Sequence, residues 1–175
     1  MALKVAARGQ IPPFIVMDVM RAANERHRAK GDVVHLEVGQ PGTGAPAGVI
    51  AAAQRALVED RLGYTDAFGI PELRACIAEH YRNWYGVEVP VERIVVTTGS
   101  SGGFLLSFLA AFDAGDRVGL VEPGYACYKN ILSALGIEAV RIDSGAATRF
   151  QPTPDLVAAA GPLDGLIVAS PSNPA

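Results

Sequence analysis

Apolar positions change their period part-way along the chain. In residues 71–86, Leu73, Ile77, Tyr81 and Trp84 recur at helical spacing. Pro71 suits the first position of that helix and Gly86 its end, so the pattern predicts one helix between them. Similar patterning predicts a helix over 16–30, with Gly31 as the residue just past its end. A further helix is predicted over 47–59, with Pro46 where a first helical residue would be. Residues 1–15 read as an extended arm, because Pro12 and Pro13 oppose helix. The run "VVHLEVG" at 33–39 reads as a short strand or extended segment.

Beyond residue 90 the pattern becomes short apolar runs alternating with helical stretches. Residues 93–98, 117–121, 138–143 and 165–169 read as strands. Residues 101–112, 125–135 and 154–160 read as helices. One helix between successive strands argues an α/β fold with a mostly parallel sheet covered on both faces. Ligands of such sheets bind beyond the carboxyl ends of the strands. Three unusual loops fall there: "TGSSGG" at 98–103, "EPGY" at 122–125 and "SPSNP" at 170–174.

Composition narrows the possibilities. The chain has 175 residues, enough for one ordinary domain, and carries a formal net charge of −3 with no basic run. That is not the charge pattern of a nucleic-acid binder, so none is expected as a partner. Half of the residues are hydrophobic, and the mean hydropathy is +0.24. Either the core is well filled or some apolar surface is meant for further segments. No signal peptide is read at the N-terminus, and the most apolar segment, 104–112, is about half of what a bilayer span needs. Cys76 and Cys127 lack close spacing and are expected as reduced, mostly buried thiols of a cytoplasmic protein. His27, His35 and His80 are scattered, so no metal site is expected.

The stretch "TTGSSGGF" at 97–104 joins a predicted strand to a predicted helix with three glycines and two serines. The first-turn amides of a helix lack internal partners and lie at the positive end of its dipole. Small residues let a phosphate approach, and serine hydroxyls add donors. The plainer alternative is a tight turn with a serine cap. The Walker pattern fails, because Phe104 and Leu105 stand where Lys and Ser or Thr would follow the last glycine. The dinucleotide pattern fails at Ser101, which occupies the second glycine position. A cofactor with a single phosphate fits better than ATP or NAD.

Taken together, "LEVGQP", "GYTDAFGIPELR", "TTGSSGGF", "VEPGYACY" and "SPSNP" follow in an order that resembles the N-terminal part of a fold-type I, pyridoxal-phosphate-dependent class I/II aminotransferase. The resemblance implies a partial large domain of that fold: a mostly parallel sheet flanked by helices, preceded by an N-terminal arm and helix and truncated at residue 175. Residues 1–32 would belong to the small domain and 33–175 to the large, cofactor-binding domain. It implies that Gly99, Ser100, Ser101 and Gly102 bind the cofactor phosphate. Tyr125 would lie on the pyridine ring, with a core aromatic at a helix start as the alternative. Asn173 would donate to the ring's 3′-oxygen, with a turn asparagine as the alternative. Tyr64 would reach the phosphate of the other subunit in a homodimer. Gly39 would offer its N–H to the substrate carboxylate, with plain loop flexibility as the alternative. Cis peptides are implied at Glu122–Pro123 and Asn173–Pro174.

The resemblance also has limits. Ala175 stands where the family pattern carries threonine. The family's cofactor-binding lysine, the acidic partner of the ring nitrogen and the carboxylate-binding arginine come from later in its sequence. Lys4, Lys30 and Lys129 match none of these positions and read as solvated, so no catalytic residue is assigned. The chain is therefore expected to be the N-terminal half of an enzyme, inactive alone. The activity implied for the whole is transfer of an amino group between an amino acid and a 2-oxo acid. The alternatives are another reaction on the same fold (a lyase, decarboxylase or synthase), an inactive remnant, or the cofactor-sensing module of a transcription regulator. The last would need a DNA-binding domain ahead of residue 10, where there is no room.

Overall fold

The structure, a computed structural model, describes residues 3–174; Ala175, where the family pattern carries threonine, lies outside them. Two compact units emerge. One runs through Val33 and resumes at Gly99; the other is Val34–Thr98.

The first unit holds a parallel sheet of three strands, β1 (Arg117–Glu122), β2 (Glu138–Asp143) and β3 (Gly165–Ile167). Their order is β2-β1-β3. β1 pairs along its whole length with β2, from Arg117 opposite Glu138 to Glu122 opposite Asp143. On its other edge, Val118–Leu120 face Gly165–Ile167. A strand bonded on both edges and covered on its faces should be apolar throughout, and Val118, Gly119 and Leu120 are all buried.

In chain order, α1 (Ile15–Lys30), α2 (Ala47–Glu59) and α3 (Pro71–Tyr85) precede α4 (Gly99–Ala111), while α5 (Cys127–Leu135) follows β1 and α6 (Pro154–Ala159) follows β2. The core is built from α4, α5 and the sheet. Phe108, Val118, Leu120, Leu132 and Ile137 are buried together, with Phe104, Phe112, Tyr128 and Ile167 packed on them. α5 ends on Gly136 in the left-handed region, φ 79°, and its N–H returns to Leu132 and Ser133. α6 starts at Thr153, whose hydroxyl accepts from the Leu156 N–H at 3.3 Å. Arg117 ties the start of β1 to the segment before β3 by donating to the Pro162 carbonyl.

Helix periodicity is confirmed closely. α1 ends on Gly31 with φ 68°, and α3 has Pro71 at its first turn and Gly86 left-handed after it. Pro46 differs slightly: it precedes α2 as an extended residue, with ψ 146°. The arm is not extended throughout, because Ala7–Gln10 form a 3-10 turn. That turn packs on α5, and the Asn130 amide donates to the Pro12 carbonyl at 2.9 Å.

The predicted strand at 93–98 is not one. Val91–Arg93 form a 3-10 turn, and Ile94 is extended with φ −106° and ψ 124°. The physical reason is that no strand pairs with it among the described residues. The Val96 N–H bonds the Phe68 carbonyl at 3.0 Å, and the Arg74 side chain bonds the carbonyls of Ile94 and Val91 at 2.9 and 2.7 Å. Residues 33–39 likewise form no ladder among the described residues. The thiols differ too: Cys76 is exposed and Cys127 half-buried.

Much apolar surface is uncovered. Leu106 and Leu109 on α4 are 57% and 58% exposed, and Trp84 on α3 is 75% exposed. The high mean hydropathy thus does not describe a filled core.

Gly165 marks the tightest approach of sheet and helix. A Cβ there would lie 2.4 Å from the Phe112 ring. Gly165→Ala is expected to lower stability by about 1–3 kcal/mol through overpacking. Denaturant unfolding of the intact protein measures this; an unchanged midpoint would contradict the packing.

Candidate functional site

The site lies where strand ends and one helix start meet in the first unit. α4 begins at Gly99, so "GSSGG" forms its first turn and not a loop ahead of it. The expected start at 101 was late by two residues. Gly99 has φ +74°, a conformation that costs side-chain-bearing residues but not glycine. Ser100, Ser101 and Gly102 follow, and their amides belong to the turn whose N–H groups have no intrahelical acceptor. No acidic residue lies in this turn. Ser100 is exposed and Ser101 half-buried. The Ser101 hydroxyl lies 3.2 Å from the Cys127 thiol, at the first residue of α5.

The loop after β1 carries Tyr125. Glu122–Pro123 is cis, as is Asn173–Pro174, both in line with expectation; Ser170–Pro171 is cis as well and was not foreseen. The Glu122 carbonyl accepts from both the N–H and the hydroxyl of Ser144, at 2.8 and 2.9 Å. Gly124 follows, where a Cβ would meet the Val121 carbonyl oxygen at 2.5 Å. Tyr125 lies ahead of α5 and not inside it, as the predicted helix over 125–135 had it.

Tyr125 stands edge-to-face against Tyr128, with centroids 5.4 Å apart and planes at 83°. Tyr128 makes the same contact with Phe104 of α4 at 4.8 Å and 83°. Phe104 then meets Phe108 at 5.9 Å. Such pairs favour fixed ring planes, so a line of four rings runs from the buried core to Tyr125. Burial pushes the Tyr128 phenol up from its ordinary value, with Tyr125 and Cys127 adding to the shift. It therefore stays protonated at neutral pH.

Tyr125 and Asn173 line one crevice beyond the ends of β1 and β3, together with Tyr128, Gln151 and Ser172. Its volume is about 20 Å³, room for roughly one water. Gly39 and Tyr64 belong to the other compact unit. Gly39 is exposed with open space where a Cβ would be, and the Tyr64 ring is fully exposed. Lys4, Lys30 and Lys129 are exposed, as expected, and none lines the crevice. Cys127, Tyr128 and Gln151 were missed from sequence. Tyr128 had a signal, three residues after Tyr125; the contact of Cys127 spans 26 positions and had none.

The family model for aminotransferase class I and II matches residues 31–175. The chain belongs to that family. It is 58% identical over 172 residues to a valine–pyruvate aminotransferase of Mycobacterium tuberculosis, covering 98% of this chain and 44% of that protein. A (5-formylfuran-3-yl)methyl phosphate transaminase of Methanocaldococcus jannaschii is 34% identical over 92% of this chain and 42% of its own length. Among solved structures, an aminotransferase from M. tuberculosis superposes with a TM-score of 0.92 at 57% identity, over 99% of this chain and 45% of that one. The aspartate aminotransferase of Thermus thermophilus with maleate gives 0.91 at 32% identity, over 99% and 46%. The chain thus spans less than half the length of the relatives it matches. The fold is the α/β fold of these aminotransferases, present in part. The family is generally pyridoxal-phosphate-dependent. Among the described residues, no helix is long and apolar enough to cross a membrane.

The donor set suits that cofactor: a helix start free of acid, two hydroxyls beside it, and an aromatic ring and an amide on a neighbouring crevice. At Gly99 a Cβ would meet nothing within 4 Å, so Gly99→Ala should cost backbone strain alone, about 1–2 kcal/mol. Gly99→Asn, which tolerates the left-handed region better, should recover part of it. Unfolding of the intact variants measures this; equal costs for Ala and Asn would contradict the assignment.

Proposed function

We propose that the intact protein is a pyridoxal-phosphate-dependent aminotransferase that moves an amino group from an amino acid to a 2-oxo acid. The observation that carries the reading is the first turn of α4, free of acidic residues and opened by the left-handed Gly99, with its Ser101 hydroxyl 3.2 Å from Cys127, two residues after Tyr125. Family membership supports it independently.

Each residue then has a task. The amides and hydroxyls of Ser100 and Ser101, with Gly102 and the left-handed Gly99, hold the cofactor phosphate at the positive end of the helix. Tyr125, braced by Tyr128, gives a flat face to the pyridine ring. Asn173 donates its side-chain amide to the ring's 3′-oxygen. When bound, pyridoxal phosphate supplies the electron sink for bond breaking at the substrate α-carbon. Gly39 offers its N–H to the substrate carboxylate. Tyr64, with its ring fully exposed, completes the phosphate site of a second copy in a homodimer. The protein works in the cytoplasm. Residues 1–32 belong to a smaller domain and 33–175 to the cofactor domain.

Valine and pyruvate are the first donor and acceptor to try, given the 58% identity to a valine–pyruvate aminotransferase. The test incubates the intact protein with pyridoxal phosphate, valine and pyruvate and follows alanine. Alanine formed in step with loss of valine is the expected result. Loss of the amino acid with carbon dioxide or an eliminated group, and no amino transfer, would overturn transamination in favour of other chemistry on this fold. Tyr125→Ala should weaken cofactor retention by about tenfold, the scale of one lost aromatic contact. Unchanged retention would assign Tyr125 to packing alone.

A further inference from the structure

Three features outside the assigned site residues invite a role. The exposed aromatic face of α3 carries Trp84 and Tyr85, but nothing in the structure indicates what covers it. The shallow groove between the Ala7–Gln10 turn and α5 is lined by Arg8 and Ser133, with no further feature pointing to a ligand. The contact between Cys127 and Ser101 goes further, because one of its partners already lies in the first turn of α4.

We propose that Cys127 is a positioning residue for the phosphate site, holding the Ser101 hydroxyl in the orientation that donates to the anion. The inference rests on the cofactor reading above. The Cys127 sulfur and the Ser101 oxygen are 3.2 Å apart and partly buried. Either atom can donate in the empty arrangement. A bound phosphate removes that freedom: it has only acceptor oxygens to offer at neutral pH, so the Ser101 O–H must point to it. The serine oxygen then accepts from the thiol, a weak donor. With the O–H turned to the anion, the serine oxygen keeps the thiol as its partner, so the bound orientation leaves neither group of the contact unpaired. The backbone supports this geometry. Cys127 opens α5, and Phe104 of α4 is locked against Tyr128 of α5 at 4.8 Å, so the two helix starts are held in register on either side of the contact.

The role requires the phosphate, which separates it from general support of the fold. In the intact protein, Cys127→Ala should raise the dissociation constant of pyridoxal phosphate roughly two- to tenfold, the scale of one modest hydrogen bond. Affinity for pyridoxal, which lacks the phosphate, should stay unchanged. Both are read from the cofactor's absorbance and from protein fluorescence, without turnover. Cys127→Ser keeps a donor and should recover most of the loss. Ser101→Ala should produce a loss of its own, and adding Cys127→Ala to it should cost nothing more, because the thiol acts only through that hydroxyl. Equal weakening of both ligands, no weakening at all, or additive losses in the double variant would each overturn the proposal. A wild-type protein that binds pyridoxal but gains nothing from its phosphate would overturn the phosphate reading itself, and this role with it. Wild-type phosphate dependence with an indifferent Cys127→Ala would overturn this role alone.

Discussion

Everything in the first unit is referred to β1. It bonds to β2 on one edge and β3 on the other, and its three central residues are buried. Only small or apolar side chains are tolerated there, and Gly119 is hemmed in by Leu163, Ile142 and Leu166 at about 3 Å from where a Cβ would stand. A strand so constrained cannot shift by one residue without driving a larger side chain into the space that Gly119 leaves. Its carboxyl end is therefore a fixed point. The Pro123–Tyr125 loop leaves from that point, and β3 brings the 170–174 loop alongside it.

The second fixed element is α4, attached to the same core through Phe108. Its two ends differ in kind. The interior is apolar nearly all round, with Leu106 and Leu109 exposed. The first turn has no side chain larger than serine before Phe104. One helix thus supplies both a packing surface and an open positive end. The four-ring line from Phe108 to Tyr125 connects the two loops mechanically: the ring plane of Tyr125 is set by a residue of α5, which is set in turn by a residue of α4. A binding site assembled this way gains rigidity from its scaffold and needs few residues of its own.

Helices were legible in the sequence because their signals are local. Pro71, Gly31 and Gly86 punctuate the chain where the structure turns, and the 3.6-residue period did the rest. The central strands were legible from apolar runs. The segment at 93–98 was not, because a strand exists only when a neighbour pairs with it, and "RIVVTT" carries no information about whether one is present. Tyr125 and Asn173 were legible through resemblance to a family, and the structure brings them to one crevice. The bond of Ser101 to Cys127 was not, since it depends on how two helices pack. Burial of Cys76 was wrongly expected for a similar reason: thiols are usually inside, but the face of α3 that carries it is uncovered among the described residues.

The proposed function requires a phosphate on the first turn of α4 with its ring carried towards Tyr125. An experimental structure of the intact protein grown with pyridoxal phosphate tests this most directly. Phosphate density is expected within hydrogen-bonding distance of the Ser100–Gly102 amides and the Ser101 hydroxyl, with the pyridine ring stacked on Tyr125 and its 3′-oxygen near Asn173. Phosphate bound elsewhere, with the α4 turn left to solvent, would contradict it.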